Sequence, residues 1–121
     1  SANKELFVSI VGGTLAAGDW SDLQNSEITI NAGQYGSIKN AYFEATLSIP
    51  STEGIAYARL YNLSDGVAVA NSDVSTTNSS PTLLTSRSIA LEGTKAYKVQ
   101  MKSSHNKDAV LTQSRIKIVQ N

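Results

Sequence analysis

The chain has 121 residues, and its ten lysines and arginines balance ten aspartates and glutamates, so the formal net charge is zero. It contains no cysteine, which excludes disulfides, thiolate metal sites and cysteine nucleophiles, and it has no basic excess for binding nucleic acid. The length suits one domain over residues 1–121. No apolar run approaches the roughly 18 residues that membrane insertion by a helix requires.

Hydroxyl side chains dominate the composition, with 17 serines and 10 threonines. Short blocks of Val, Ile, Thr and Tyr recur between them, which is typical of strands and not of disordered chain. We therefore interpret the serine and threonine content as the solvent face of a sheet protein.

Alternation of apolar and polar residues predicts about eight β-strands, and no window has a helical period. In chain order the expected strands are 5–11, 27–30, 41–49, 55–63, 67–74, 82–91, 95–103 and 109–119. Asp65-Gly66 predicts a tight hairpin between the fourth and fifth strands. Strands of this length and spacing indicate an all-β fold, a sandwich of two antiparallel sheets.

Charged residues predict which face of a strand meets solvent. Glu44 is expected to point outward, since the opposite orientation would bury an unpaired carboxylate. Arg59 is expected to point outward for the same reason. The apolar residues that alternate with Glu44 and Arg59 then face the core, and the same reasoning applies to the strands 95–103 and 109–119. The expected core residues are Phe43, Ala45, Leu47, Ile49, Ala56, Ala58, Leu60, Tyr97, Val99, Met101, Val110, Ile116 and Ile118.

The segment LEGTKAYKVQMK resembles the E–F corner of fibronectin-type sandwiches, because Leu91 and Tyr97 have its spacing. The strand count and the long middle strands more closely resemble eight-stranded jelly-roll modules of bacterial extracellular and phage appendage proteins. These include carbohydrate-binding modules and tumour-necrosis-factor-like knobs. Trp20 lies in a loop, whereas fibronectin-type domains usually carry a tryptophan on the second or third strand. A jelly roll is therefore favoured over a fibronectin-type or immunoglobulin-like sandwich.

Few residues could support catalysis. The only histidine, His105, lies in the polar loop SSHNKD, and no GxSxG nucleophile elbow is present. The acidic residues Glu27, Glu44, Glu53 and Glu92 are scattered, and we interpret each as a surface charge instead of half of a glycosidase pair. The sequence therefore indicates a protein that is not an enzyme and needs no cofactor.

The loop GDWSDLQNSE contains the weak candidate for a structural calcium site, Asp19 and Asp22. It lacks the spacing of an EF-hand, so a polar loop with aspartates as turn formers is the preferred interpretation. Trp20 in the same loop is expected to plug one end of the sandwich, with the lip of a binding site as the alternative.

The feature that folding explains least is the row Tyr57, Arg59 and Tyr61 on one solvent-facing side of a strand. In a jelly roll the seventh predicted strand lies beside it and adds Lys98, Gln100 and Lys102. Rings, cations and an amide on one face would suit a neutral or acidic glycan. An interface between subunits, where Tyr and Arg are enriched, and a plain sheet surface are the alternatives.

Two functions remain open from the sequence. One is a non-catalytic binding or adhesion module, carbohydrate-binding, on a secreted, surface or virion protein. The other is a structural self-assembling domain, such as a trimeric knob, tail or shell component, with no small ligand. The expected partner is accordingly a glycan or a second copy of the chain, and neither nucleic acid nor membrane insertion is expected.

Overall fold

The computed structural model describes residues 4–121, which form eleven β-strands and one short 3-10 helix over Ala32–Tyr35. The strands are β1 (Glu5–Ile10), β2 (Gly13–Leu15), β3 (Ser21–Asp22), β4 (Ile28–Asn31), β5 (Ile38–Ser48), β6 (Ala56–Asn62), β7 (Val67–Ala68), β8 (Val74–Thr76), β9 (Thr82–Ile89), β10 (Thr94–Ser103) and β11 (Ala109–Gln120). Within these residues no helix has the length and apolar character needed to cross a lipid bilayer.

The strands form two antiparallel sheets. Sheet I has the order β1-β11-β5-β9, with β2 also pairing with β11. Sheet II has the order β3-β10-β6-β7, with β4 also pairing with β10 and β8 with β6. Except where β6 pairs with β7 and β8, neighbouring strands are far apart in sequence, because the chain passes repeatedly from one sheet to the other. The all-β sandwich expected from the sequence is confirmed.

Alternating residues of both sheets fill the space between them. Phe43 and Leu47 of β5 and Leu60 of β6 are fully buried, and Val99 and Met101 of β10 complete the centre of this core. The core residues expected in the fourth and seventh strands are all buried. Ala56 and Ala58 also lie there, so β6 presents mostly small side chains to the other sheet.

Sheet II contains more strands than the sequence predicted. The two-residue strand β3 was expected to be loop, as was β2 of sheet I, because neither is long enough to show a period. The expected strand 67–74 is divided into β7 and β8. Asn71 separates them in a left-handed conformation with φ 69°, which ends regular pairing.

Glu44 points away from the core as predicted, since Phe43 and Ala45 on either side are completely buried. Its exposure was predicted wrongly, because only 5% of the residue is accessible. Arg115 on β11 and Thr85 on β9 cover its carboxylate from both neighbouring strands and donate hydrogen bonds to it. The carboxylate is therefore buried but hydrogen-bonded. The prediction from the sequence considered only a buried carboxylate without partners and an exposed one.

The predicted orientation of Val110 is also wrong. Leu111 and Ala109 are buried instead, and Val110 is half-buried on the other face of β11. The pairing of β11 with β5 shifts between Leu111 and Gln113, where a β-bulge inserts one residue. A bulge reverses the alternation beyond it, so Ile116 and Ile118 follow the prediction and Val110 does not.

Candidate binding face

The outer face of sheet II brings together the residues that the sequence singled out. On β6 the residues Ala56, Ala58 and Leu60 are buried, so Tyr57, Arg59 and Tyr61 must lie on the opposite, outward side. All three outward residues are half-buried, because their neighbours on the same face cover part of each side chain. The orientation predicted from Arg59 is therefore confirmed.

Strand β10 lies directly beside β6, as the jelly-roll arrangement predicted. The cross-strand pairs are Lys102 with Tyr57, Gln100 with Arg59 and Lys98 with Tyr61. Side chains in directly opposed positions are about 5 Å apart at their Cβ atoms, so these six residues form a compact grid. Tyr57 and Tyr61 stand four residues apart, about 13 Å at the rise of an extended strand.

The third strand of the grid is β3, which adds Asp22, and Trp20 directly precedes this strand. Asp22 pairs with Gln100, which places it on the same face. The Trp20 ring packs edge-on against Tyr57, with 6.1 Å between ring centroids. Trp20 thus lies on the outside of sheet II, and the expectation that it plugs an end of the sandwich is wrong. We call these eight residues the aromatic face: Trp20, Asp22, Tyr57, Arg59, Tyr61, Lys98, Gln100 and Lys102.

Cations lie over the rings of the aromatic face. The Arg59 guanidinium carbon is 4.3 Å from the centroid of the Trp20 ring. Lys102 Nζ is 4.8 Å from the centroids of both Trp20 and Tyr57, and Lys98 Nζ is 5.0 Å from that of Tyr61. Each distance falls within the range of a cation–π contact, which holds long flexible side chains in place on the sheet.

Hydrogen bonds connect the centre of the face into one network. Arg59 donates from Nε and a terminal nitrogen to Gln100 Oε1, at 2.9 and 2.8 Å. Gln100 Nε2 donates in turn to Asp22 Oδ1 at 3.0 Å, and Lys98 Nζ donates to Asp22 Oδ2 at 2.7 Å. Gln100 is buried beneath its neighbours, so both ends of its amide are fixed in direction.

Two groups of the face have pKa values that differ from their ordinary ones. Hydrogen bonds from Lys98, and secondarily from Gln100, hold the pKa of the Asp22 carboxyl below its usual value. Partial burial lowers the pKa of Arg59, against the opposing charge of Asp73. An arginine stays protonated through such a shift, so the face carries fixed positive charge at neutral pH.

The arrangement around Asp22 does not fit a calcium site. Both of its carboxylate oxygens accept hydrogen bonds from Lys98 and Gln100. Asp19 is exposed, and no group of three acidic or histidine side chains with metal-binding geometry occurs between Lys4 and Asn121. His105 is exposed in its loop, with Nδ1 3.1 Å from Ser104 Oγ, and it does not join the aromatic face.

A shallow cleft adjoins the aromatic face at Asp22. It has a volume of about 360 Å³ and is lined by residues 12–15 and 22–24. Asp22 therefore stands at the boundary between the face and the cleft.

Sequence reasoning found six members of this face and missed the placement of Trp20 and Asp22. The six lie on two long strands in which apolar and polar residues alternate clearly. Asp22 belongs to a strand of only two residues, and Trp20 lies just before that strand. The available signal was the alternation of Trp20 and Asp22 with Ser21 and the buried Leu23.

Solved carbohydrate-binding modules have a similar fold. The CBM36-1 domain of a multidomain xylanase from the hindgut metagenome of Trinervitermes trinervoides matches with a TM-score of 0.56 and 13% identity, over 95% of this chain and 96% of that domain. A CBM36 module in complex with calcium and xylotriose matches with a TM-score of 0.53 and 16% identity, over 94% and 98%.

A viral protein also has this fold. The structure of infectious bursal disease virus, Gx strain, matches with a TM-score of 0.53 and 12% identity, over 99% of this chain but 32% of the viral chain. No protein-family model and no curated protein sequence matches the chain. At these identities the similarities concern the fold, and they confirm the jelly-roll β-sandwich expected from the strand pattern.

Proposed function

We propose that this chain is a non-catalytic glycan-binding module and that its binding surface is the aromatic face. The observation that carries the proposal is the combination of three partly exposed aromatic rings with cations and a fixed amide on one open sheet surface. Sugar rings pack their C–H faces on aromatic side chains, and their hydroxyls take hydrogen bonds from neighbouring polar groups. A flat face of this length suits an oligosaccharide better than a single sugar.

The comparisons support the proposal at the level of the fold. Two modules with this sandwich are carbohydrate-binding modules, one of them solved with a trisaccharide of xylose. The proposed role, binding without catalysis, also agrees with the scattered positions of the acidic residues and of His105. We place such a module on a secreted, surface or virion protein, where glycans are the available partners.

Intrinsic fluorescence provides a direct test, because Trp20 is the only tryptophan in the chain and lies on the proposed surface. The protein is titrated with xylo-, cello-, manno- and galacturono-oligosaccharides while Trp20 emission is recorded, and a glycan array extends the panel. We expect at least one glycan to shift the emission saturably. A chain that binds nothing on the array and shows no shift would contradict the proposal.

Variants then locate the surface. Tyr57→Ala and Tyr61→Ala should each weaken glycan binding about tenfold or more, while the melting temperature changes little, because both rings lie outside the core. Tyr42→Ala is the matched control. Tyr42 is a half-buried tyrosine near a lysine, with Lys117 Nζ 6.0 Å from its ring centroid, but it lies on sheet I. Equal losses in all three variants would contradict the assignment to the aromatic face.

One observation favours a second candidate function, a self-assembling structural domain. Phe7 and Leu83 lie toward opposite edges of the outer face of sheet I and are 45% and 53% exposed. Association of copies of the chain through this face would remove both apolar side chains from water. Light scattering over a range of concentrations tests this candidate. A discrete oligomer that Leu83→Lys dissociates and Tyr57→Ala leaves intact would favour it, and a monomer at all concentrations would remove it.

A further inference from the structure

We infer that the aromatic face selects glycans that carry negative charge, such as uronic acid carboxylates or sulfate groups. This inference rests on the proposed function and adds the chemical class of the ligand. It starts from the partners of the cations on β10. Lys95 is 2.8 Å from Asp65 and Lys98 is 2.7 Å from Asp22, so each of these lysines is neutralised by its own carboxylate.

Lys102, on the same strand, has a different environment. Among residues 4–121 no carboxylate oxygen lies within 4.0 Å of its ammonium group. The rings of Trp20 and Tyr57 hold it instead. Aromatic rings position a cation without cancelling its charge, so Lys102 keeps its full charge for a ligand.

Arg59 is the second such cation. Its Nε and one terminal nitrogen donate hydrogen bonds to the neutral amide of Gln100, and no carboxylate among residues 4–121 forms an ion pair with it. Asp73, on the other side of β6, acts on it only through space. The guanidinium is thus fixed in direction by an amide, with its charge not paired.

The two cations contact the same aromatic ring. Arg59 and Lys102 both lie within 5 Å of the Trp20 ring, at 4.3 and 4.8 Å from its centroid. The two charged groups are therefore at most about 9 Å apart, and both would attract an anionic substituent of a ligand bound beside Trp20. A glycan stacked on Tyr57 would bring its substituents to this position.

The test compares matched pairs of glycans that differ only in charge. Oligogalacturonate is titrated against its methyl ester, glucuronoxylan against its carboxyl-reduced form, and carrageenan, a sulfated galactan, against its desulfated form. We expect the charged member of at least one pair to bind about tenfold more tightly at low salt. This preference should shrink when the salt concentration rises from about 50 mM to about 500 mM, because screening weakens exposed charge pairs. The pair that shows the preference separates carboxylate from sulfate recognition.

Charge-removing variants locate the preference. Lys102→Gln and Arg59→Gln should each lower the affinity for the charged glycan about fivefold more than the affinity for its neutral partner. Lys39→Gln, an exposed lysine of β5 on the other sheet, makes the same change in net charge and should have no effect. Tyr61→Ala should weaken binding of charged and neutral glycans alike.

The outcomes separate the two proposals. Equal affinity for charged and neutral partners would overturn charge selection and leave glycan binding standing. A preference that survives both Lys102→Gln and Arg59→Gln would also overturn the inference, since other cations would then be responsible. Failure to bind either member of any pair, or any glycan of the array, would remove the proposed function itself.

Discussion

Arg115 Nε donates a hydrogen bond to Glu44 Oε1 at 2.8 Å, joining the two central strands of sheet I on the side away from the core. Thr85 Oγ1 donates to the second carboxylate oxygen at 2.7 Å. The Arg115 guanidinium also lies 4.0 Å from the centroid of the Phe7 ring. One buried carboxylate thus connects β11, β5 and β9, and the arginine extends the contact to β1.

Replacing Glu44 by alanine should destabilise the fold by about 1–3 kcal/mol, because Arg115 and Thr85 lose their acceptor in a site with little access to water. Glu5→Ala is the control. Glu5 pairs with Lys117 at 3.2 Å on the same face, but its side chain is half exposed, so a cost below about 1 kcal/mol is expected. Urea unfolding measures both, and equal costs would contradict the role of burial.

Ser72→Ala should cost about 1–3 kcal/mol. The Ser72 hydroxyl accepts a hydrogen bond from Leu60 N at 3.0 Å and donates to Val69 O at 2.8 Å, and the residue is fully buried. Removing it leaves the Leu60 amide unsatisfied in the interior. Ser75→Ala on β8, an exposed serine, should change stability by less than about 0.5 kcal/mol. Thermal unfolding compares the two, and a Ser72 variant as stable as the Ser75 variant would refute the argument.

Gly12→Ala should destabilise the fold far more than Gly18→Ala. A Cβ at Gly12 would overlap Leu111 O and lie 2.6 Å from Thr112 O, so backbone at the β-bulge of β11 would have to move. A Cβ at Gly18 meets no described atom within 4 Å. We expect Gly12→Ala to cost about 1–3 kcal/mol, the usual range for overpacking. The prediction fails if the two variants unfold at the same denaturant concentration.

The Asp22 carboxyl should make stability depend on acid pH. Its pKa is lowered in the folded state from an ordinary value of 3.8. The unfolded chain therefore binds more protons just below this pH, and the stabilisation by Asp22 is present above pH 3.8 and lost as the pH falls toward the lower folded value. Because the carboxylate is largely exposed, the effect should stay below about 1 kcal/mol.

Carbon-detected NMR titration of the carboxyl measures the folded pKa of Asp22 directly. Asp22→Asn should show a smaller loss of stability than the wild type when the pH is lowered through this range. A wild-type carboxyl that titrates at or above its ordinary value would contradict the proposed pairing with Lys98 and Gln100.

Much of the fold could be predicted from the sequence because long strands carry many alternating residues. The charge of Arg59 predicted correctly which side of β6 faces outward, and therefore the outward positions of Tyr57 and Tyr61. Glu44 shows the limit of this reasoning. Its charge indicated which side of the strand the side chain lies on. Whether the side chain is exposed to water depends on its partners on neighbouring strands, and the alternation of residues does not show which strands pair.

The serines show a second limit. Their number suggested a solvated surface, yet Ser26, Ser72 and Ser86 are buried. Each supplies a hydroxyl that accepts a hydrogen bond from a backbone amide of a neighbouring strand, at Val99, Leu60 and Phe43 respectively. A small hydroxyl residue suits such a position. The amino-acid sequence alone, however, does not distinguish a buried serine of this kind from an exposed one.

The position of β11 has a consequence for biosynthesis. This strand, over Ala109–Gln120, lies in the middle of sheet I and pairs with β1 and β2 on one side and with β5 on the other. A nascent chain that has left the ribosome only as far as β10 therefore holds β1 and β5 with no strand between them. Sheet I can close only after translation has passed β11, so exposed strand edges must be protected from aggregation until then.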